Sequence, residues 1–188
     1  MRVEKLKENF EVETVLVHFP LHPETPIEGR SMAEVYAGRN VDPEAMYLRM
    51  KGLMDAEGLP YGRRTHSYNS RLAQELGKWA DTQPGGPLGP GAIHDALYKA
   101  YFVEARNIGD PDILVEIAQS VGLPADEARA VLEERRFKDA VDADWAKSHA
   151  YGVTGVPTFV AARYGVVGAQ PYEVLEQLVE KAGAPRRT

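Results

Sequence analysis

Two β-type segments stand at opposite ends of this chain, and what lies between them reads mostly as helix. Residues 12–21, VETVLVHFPL, read as one strand. Residues 158–162 and 164–168 read as two short strands joined by a tight turn, a β-hairpin. A single strand buries too little to be stable alone. The N-terminal segment is therefore expected to join the C-terminal hairpin in one sheet, with the helical block as an insertion. On this reading residues 1–30 and 150–188 form one discontinuous subdomain, and residues 31–149 form an inserted helical subdomain. A chain of 188 residues is long enough to bury a sizeable core in such an arrangement.

The helical block carries its own start and stop signals. Asp42 reads as an N-cap with Pro43 at the first helical position, and Met46, Met50, Leu53 and Met54 share one face of the helix that follows. These methionines are expected to face the core of the insertion, or else to offer an adaptable apolar surface to a ligand. Residues 70–80 give a second helix with Leu72, Leu76 and Trp79 on one side. DTQPGGPLGPG (81–91) is a turn cluster, and Ile93, Leu97, Ala100 and Tyr101 mark the next helix. Asp110 caps another, Pro111 starts it and Gly122 ends it. Two more helical segments, PADEARAVLEE and VDADWAKSHAYG, complete the block. After the hairpin, Pro171 opens a last helix with the stripe Val174, Leu175, Leu178 and Val179, stopped by Gly183 and Pro185. Residues 2–9 read as helix without an N-cap before them.

Composition excludes several chemistries. There is no cysteine, so these residues form no disulfide, no thiolate metal site and no thiol nucleophile. The net charge is −6 and no run of Lys and Arg is long enough to grip nucleic acid. No apolar run approaches the length of a membrane span, and no signal peptide opens the chain, so the cytoplasm is the expected compartment. His18 and His22 are four residues apart, but on a strand running into a Pro-rich loop that spacing makes no metal site, and none is expected. No carboxylate pair stands out for acid–base work, and no catalytic residue or cofactor is assigned.

One residue is out of place in an otherwise apolar strand. In GVTGVPTFV (152–160), Pro157 stands at the strand's mouth without an N–H for a ladder bond. It is either an ordinary trans proline at a strand start or a cis-proline that exposes the backbone of Val156 to a ligand.

Five stretches together resemble the DsbA-like thioredoxin superfamily, in its cytoplasmic FrnE-like branch. They are HFPLHPETPIEG, SYNSRLAQELGKWA, IHDALYKAYFVEARNIGDPDILVEIAQSVGL, GVTGVPTFV and GAQPYEVL, in that order. The resemblance implies an α/β fold: a thioredoxin-like domain with a large helical insertion, and thiol–disulfide exchange at a Cys-x-x-Cys motif. It implies a cis-proline at Pro157, and a substrate groove at Gly155, Val156 and Pro157 with Gln170 near it. An extended peptide, or a small thiol or disulfide such as glutathione, would pair there with the Val156 backbone as an added strand.

The chain departs from the family pattern at its start. The first strand and both cysteines are absent, so as written the chain is redox-inactive. In this fold that strand lies between residues 12–19 and 158–162. Either the chain is shortened or it is a redox-silent remnant. In both cases two sheet edges are expected to be open, which favours low stability and association, including a homodimer. Two other functions share the scaffold: a glutathione-dependent 2-hydroxychromene-2-carboxylate isomerase, with serine in place of the first cysteine, and a non-enzymatic peptide-binding module.

Overall fold

A computed structural model describes residues 2–83, 88, 89 and 91–187 of the chain. Met1 and part of the 81–91 turn cluster lie outside the described residues. The elements in order are α1 (Arg2–Asn9), β1 (Arg30–Ser31), α2 (Met32–Tyr36), α3 (Pro43–Ala56), β2 (His66–Ser67), α4 (Arg71–Asp81) and α5 (Ala92–Phe102). They continue with α6 (Pro111–Ser120), α7 (Ala125–Glu133), α8 (Lys138–Ala150), β3 (Thr158–Ala161), β4 (Tyr164–Val167) and α9 (Tyr172–Lys181). The chain divides into two compact units: Met1–Leu21 with Asp144–Thr188, and His22–Ala143.

The first unit is built on the β3–β4 hairpin. Its register pairs Thr158 with Val167, Phe159 with Val166, Val160 with Gly165 and Ala161 with Tyr164. Side chains of a strand alternate between faces. Phe159 and Val166 accordingly pack on a small core of Leu6, Phe10, Leu175 and Val179, supplied by α1, the residue after it and α9. Phe10 is wholly buried, a contribution of about 2 kcal/mol. Val160 and Val167 point the other way and are 47% and 56% exposed.

Residues 12–21 do not form the expected strand, and among the described residues the expected single sheet is not formed. A strand needs a ladder partner, and among the described residues this segment has none. Single contacts just before it and within it hold it instead. Phe10 bridges Arg186, the Glu11 N–H donates to the Pro185 carbonyl at 2.9 Å, and the His18 N–H donates to Asp144 Oδ2 at 2.9 Å. Val15 and Leu16 are left 73% and 47% exposed.

The second unit is helical around one core. Leu76, Trp79, Ile93, Leu97, Leu114, Ile117, Ala118, Val131 and Leu132, from α4 to α7, fill it. The start signals act as their chemistry dictates: the Asp42 and Asp110 carboxylates accept the N–H of Glu44 and Asp112, and a proline follows each. Gly122, at φ 82, allows the sharp exit from α6, where the Leu123 N–H reaches back to the Ala118 carbonyl. The two-residue ladder β1–β2 is the unit's only strand pairing among the described residues.

Helix α3 departs from the core-facing expectation. No residue of it is fully buried: Met46 and Met54 are half-buried, and Met50 and Leu53 are exposed. The shared face is real, but among the described residues α2 is the only helix or strand that packs on α3, and five residues cannot cover fourteen.

Candidate functional site

Strand β3 carries an open edge, and its mouth carries the candidate site. The Gly168 N–H donates to the Pro157 carbonyl at 2.7 Å, across from it in the hairpin register. Pro157 therefore faces β4, and the alternation of an antiparallel ladder turns the backbone groups of Thr158 and Val160 outward. Among the described residues no strand pairs with that side of β3. The Val156–Pro157 peptide bond is cis. Among the described residues the Val156 N–H donates to nothing and its C=O accepts from nothing, and its side chain is 51% exposed. Val156, Thr158 and Val160 thus present one line of free backbone donors and acceptors.

The flanking residues shape this line. A Cβ built on Gly155 would meet nothing within 4 Å, so the space beside Val156 is open. The Gly155 carbonyl accepts from Thr158 Oγ1 at 2.7 Å, which folds the 155–158 turn and keeps that carbonyl from a ligand. Gln170 is turned onto its own loop. Its side-chain Nε2 donates to the Val167 carbonyl at 2.5 Å, and its N–H donates to the Gly168 carbonyl at 2.9 Å. The Gln170 carbonyl accepts from Arg2 Nη1 at 2.8 Å, which ties α1 to the loop. Val167 is an outward-facing position of β4, so the Gln170 amide occupies an acceptor on that strand's outer edge. The hairpin is asymmetric: β4 is guarded at Val167 and β3 is open.

The candidate site offers no reacting group of its own. Gly155, Val156 and Pro157 bear no titratable side chain, and the chain holds no cysteine. His18 is near Asp144, His22 pairs with Glu24 at 3.5 Å, His94 pairs with Asp81 at 2.8 Å, and His149 stands 6.5 Å from the Phe19 ring. Among the described residues no three His, Asp or Glu groups are gathered as a metal site would need. No helix among them is long and apolar enough to cross a membrane.

Two polar features went unread in the sequence. Glu75 of α4, wholly buried, is held by Arg71 and Arg135; burial pushes its carboxyl up, and the hydrogen bonds from Arg135 and Arg71 outweigh this, so its pKa lies below the ordinary glutamate value. Asn69 donates to the carbonyls of Pro23 and Thr25 at 3.2 and 2.6 Å and accepts the Arg71 N–H, pinning the Pro-rich loop. An Asn directly before a helix was the available signal for the second; for the first, the i,i+4 spacing of Arg71 and Glu75 was readable, but the burial and the Arg135 partner were not.

Comparison with known proteins agrees with this architecture. The profile of the DSBA-like thioredoxin domain matches residues 1–180. The crystal structure of a probable DsbA oxidoreductase from Streptomyces coelicolor superposes with a TM-score of 0.85 at 33% identity, over 97% of this chain and 82% of that one. A 2-hydroxychromene-2-carboxylate isomerase shares the fold at a TM-score of 0.57 and 15% identity, over 85% of this chain and 77% of that one. An uncharacterized protein of Bacillus subtilis, YwbO, is 36% identical over 86 residues, which are 44% of this chain and 42% of that protein; the match thus spans less than half of the curated relative. With its helix-rich second unit, its β3–β4–α9 unit and no cysteine in either, this chain belongs to the DSBA-like thioredoxin domain family.

Proposed function

We propose that these residues supply the substrate-docking part of a thiol–disulfide oxidoreductase. An extended peptide, or the backbone of a small thiol or disulfide such as glutathione, adds as a strand to the open side of β3. The observation that carries this reading is the line of unpaired backbone groups at Val156, Thr158 and Val160. Val156 provides the first donor and acceptor, Pro157 sets the strand's entry, Gly155 leaves room for the ligand backbone, and Gln170 keeps β4 from competing. Any sulfur that reacts belongs to the ligand or to another polypeptide segment, because none of these residues has one.

Backbone amide spectra test the proposal. With an extended disulfide-containing peptide as probe, the Val156, Thr158 and Val160 amides are expected to shift saturably and to gain protection from exchange, while Gly165 and Val167 stay unchanged. Shifts confined to other segments would refute it. The absence of a thiol favours a second reading, a peptide-binding module without redox chemistry. Equal binding of the disulfide peptide and its serine analogue would select that reading over the first.

A further inference from the structure

Arg64 lies in the helical unit, on the segment between α3 and β2. The Gly62 N–H donates to the Phe102 carbonyl at 2.8 Å, which lays this segment along the end of α5. The Arg64 guanidinium carbon then sits 4.4 Å from the centre of the Tyr101 ring and 4.9 Å from that of Phe102. The two rings meet edge to face at 67°, with centres 4.8 Å apart. The guanidinium occupies the corner they make.

Among the described arginines, this one has a guanidinium nitrogen, Nε, that is buried with no hydrogen-bond partner, and it holds no anion. Arg63, its neighbour, forms two 2.6 Å bonds to Glu44. Arg71, Arg106, Arg129, Arg135, Arg136 and Arg186 each hold a carboxylate. Arg64 has no hydrogen bond and no ion pair among the described residues, although the side chain is only partly exposed. Its Nε is buried without an acceptor, and the two terminal amino groups reach solvent. A cation that is partly desolvated and unpaired is costly, and an incoming anion offsets that cost. The rings have already fixed the side chain, so little rotamer freedom is lost when the two amino groups grip an oxyanion end-on.

The surface beside the cation is aromatic. Tyr98 stacks on Phe102 with ring centres 6.1 Å apart and is itself 59% exposed. We propose that Arg64, Tyr98, Tyr101 and Phe102 form a carboxylate-binding site, in which the carboxylate bonds to the terminal amino groups of Arg64 and a flat apolar body lies against Tyr98. The ligand class is an organic acid with an apolar group next to its carboxylate, whether a small molecule or a peptide C-terminus.

Benzoate is the probe, with benzamide as its uncharged match. In the full chain, the Arg64 side-chain N–H resonance is expected to shift saturably with benzoate and not with benzamide. Arg64→Lys keeps the charge and loses the fork, and is expected to weaken benzoate at least tenfold, about 1.4 kcal/mol. Tyr98→Ala should weaken benzoate while leaving acetate unchanged. A peptide with a free apolar C-terminus, compared with its amidated form, separates the two sources of the carboxylate. No saturable Arg64 shift with benzoate, or an equal shift with benzamide, overturns the site; this comparison uses the unaltered protein and does not depend on any variant folding.

Discussion

Arg135 donates two hydrogen bonds of 2.7 Å to the buried carboxylate of Glu75, from Nε to Oε2 and from Nη2 to Oε1, across 60 residues of sequence. Arg71 adds a third at 2.6 Å and holds Asp142 as well. Glu75 therefore joins α4 to the end of α7 and the start of α8. Glu75→Ala leaves Arg71, whose side chain is 16% exposed, without its inner partner. Stability is expected to fall by about 3 kcal/mol, measured as the shift of the urea midpoint at constant slope.

The same group sets an acid limit. The Glu75 pKa is lowered in the folded state because the Arg135 and Arg71 hydrogen bonds outweigh burial. A depressed carboxylate adds stability above its unfolded pKa, and that stability is lost as pH falls through the folded one. Denaturation midpoints should stay level on this account from neutrality down to about pH 4.5, the ordinary range of glutamate, and drop below it. Glu75→Gln should flatten that acid limb while lowering stability at neutral pH.

Gly62 is fixed by backbone contact, not by φ. A Cβ at this position would stand 2.0 Å from the Val103 carbonyl oxygen, and main chain cannot step aside as a side chain can. Gly62→Ala is expected to cost about 3 kcal/mol and to pull the 61–64 segment off the end of α5. The Tyr101 and Phe102 ring signals would report that movement. Gly52→Ala, where the added carbon meets nothing within 4 Å, is the control and should be neutral or slightly stabilising.

With no cysteine, the 188-residue chain is expected to add nothing to insulin reduction by dithiothreitol. Turbidity traces with and without the protein should coincide. A faster trace with the protein would contradict the assignment of all sulfur chemistry to other partners.

The sequence was most legible where one residue type has one physical use. Asp–Pro pairs at 42–43 and 110–111 could hardly mark anything but helix starts, and Gly122 an exit through positive φ. The hairpin followed from β-branched residues on both sides of a tight turn. Pattern failed where the answer depended on a partner. Residues 12–21 have the composition of a strand, yet composition does not supply a ladder. Met46, Met50 and Met54 share a face, yet spacing does not say whether another helix covers it. At the site, Pro157 was legible because a proline there breaks a local rule. The hold of Gln170 on Val167 was not, since an amide can bond to any nearby carbonyl. The buried role of Glu75 and the place of Arg64 were invisible for a related reason: Arg135 and the rings of Tyr101 and Phe102 come from distant parts of the chain.

The open side of β3 lacks charged residues: its outward positions are Val156, Thr158 and Val160, and β4 is guarded at Val167. Every copy of the chain carries this same unsatisfied template, and another copy can compete for it with any ligand. On the proposed binding mode, ligand capture and self-pairing are alternatives on one strand. The apparent affinity for a peptide is then expected to fall as the protein is concentrated, and a saturating peptide to act as a solubiliser.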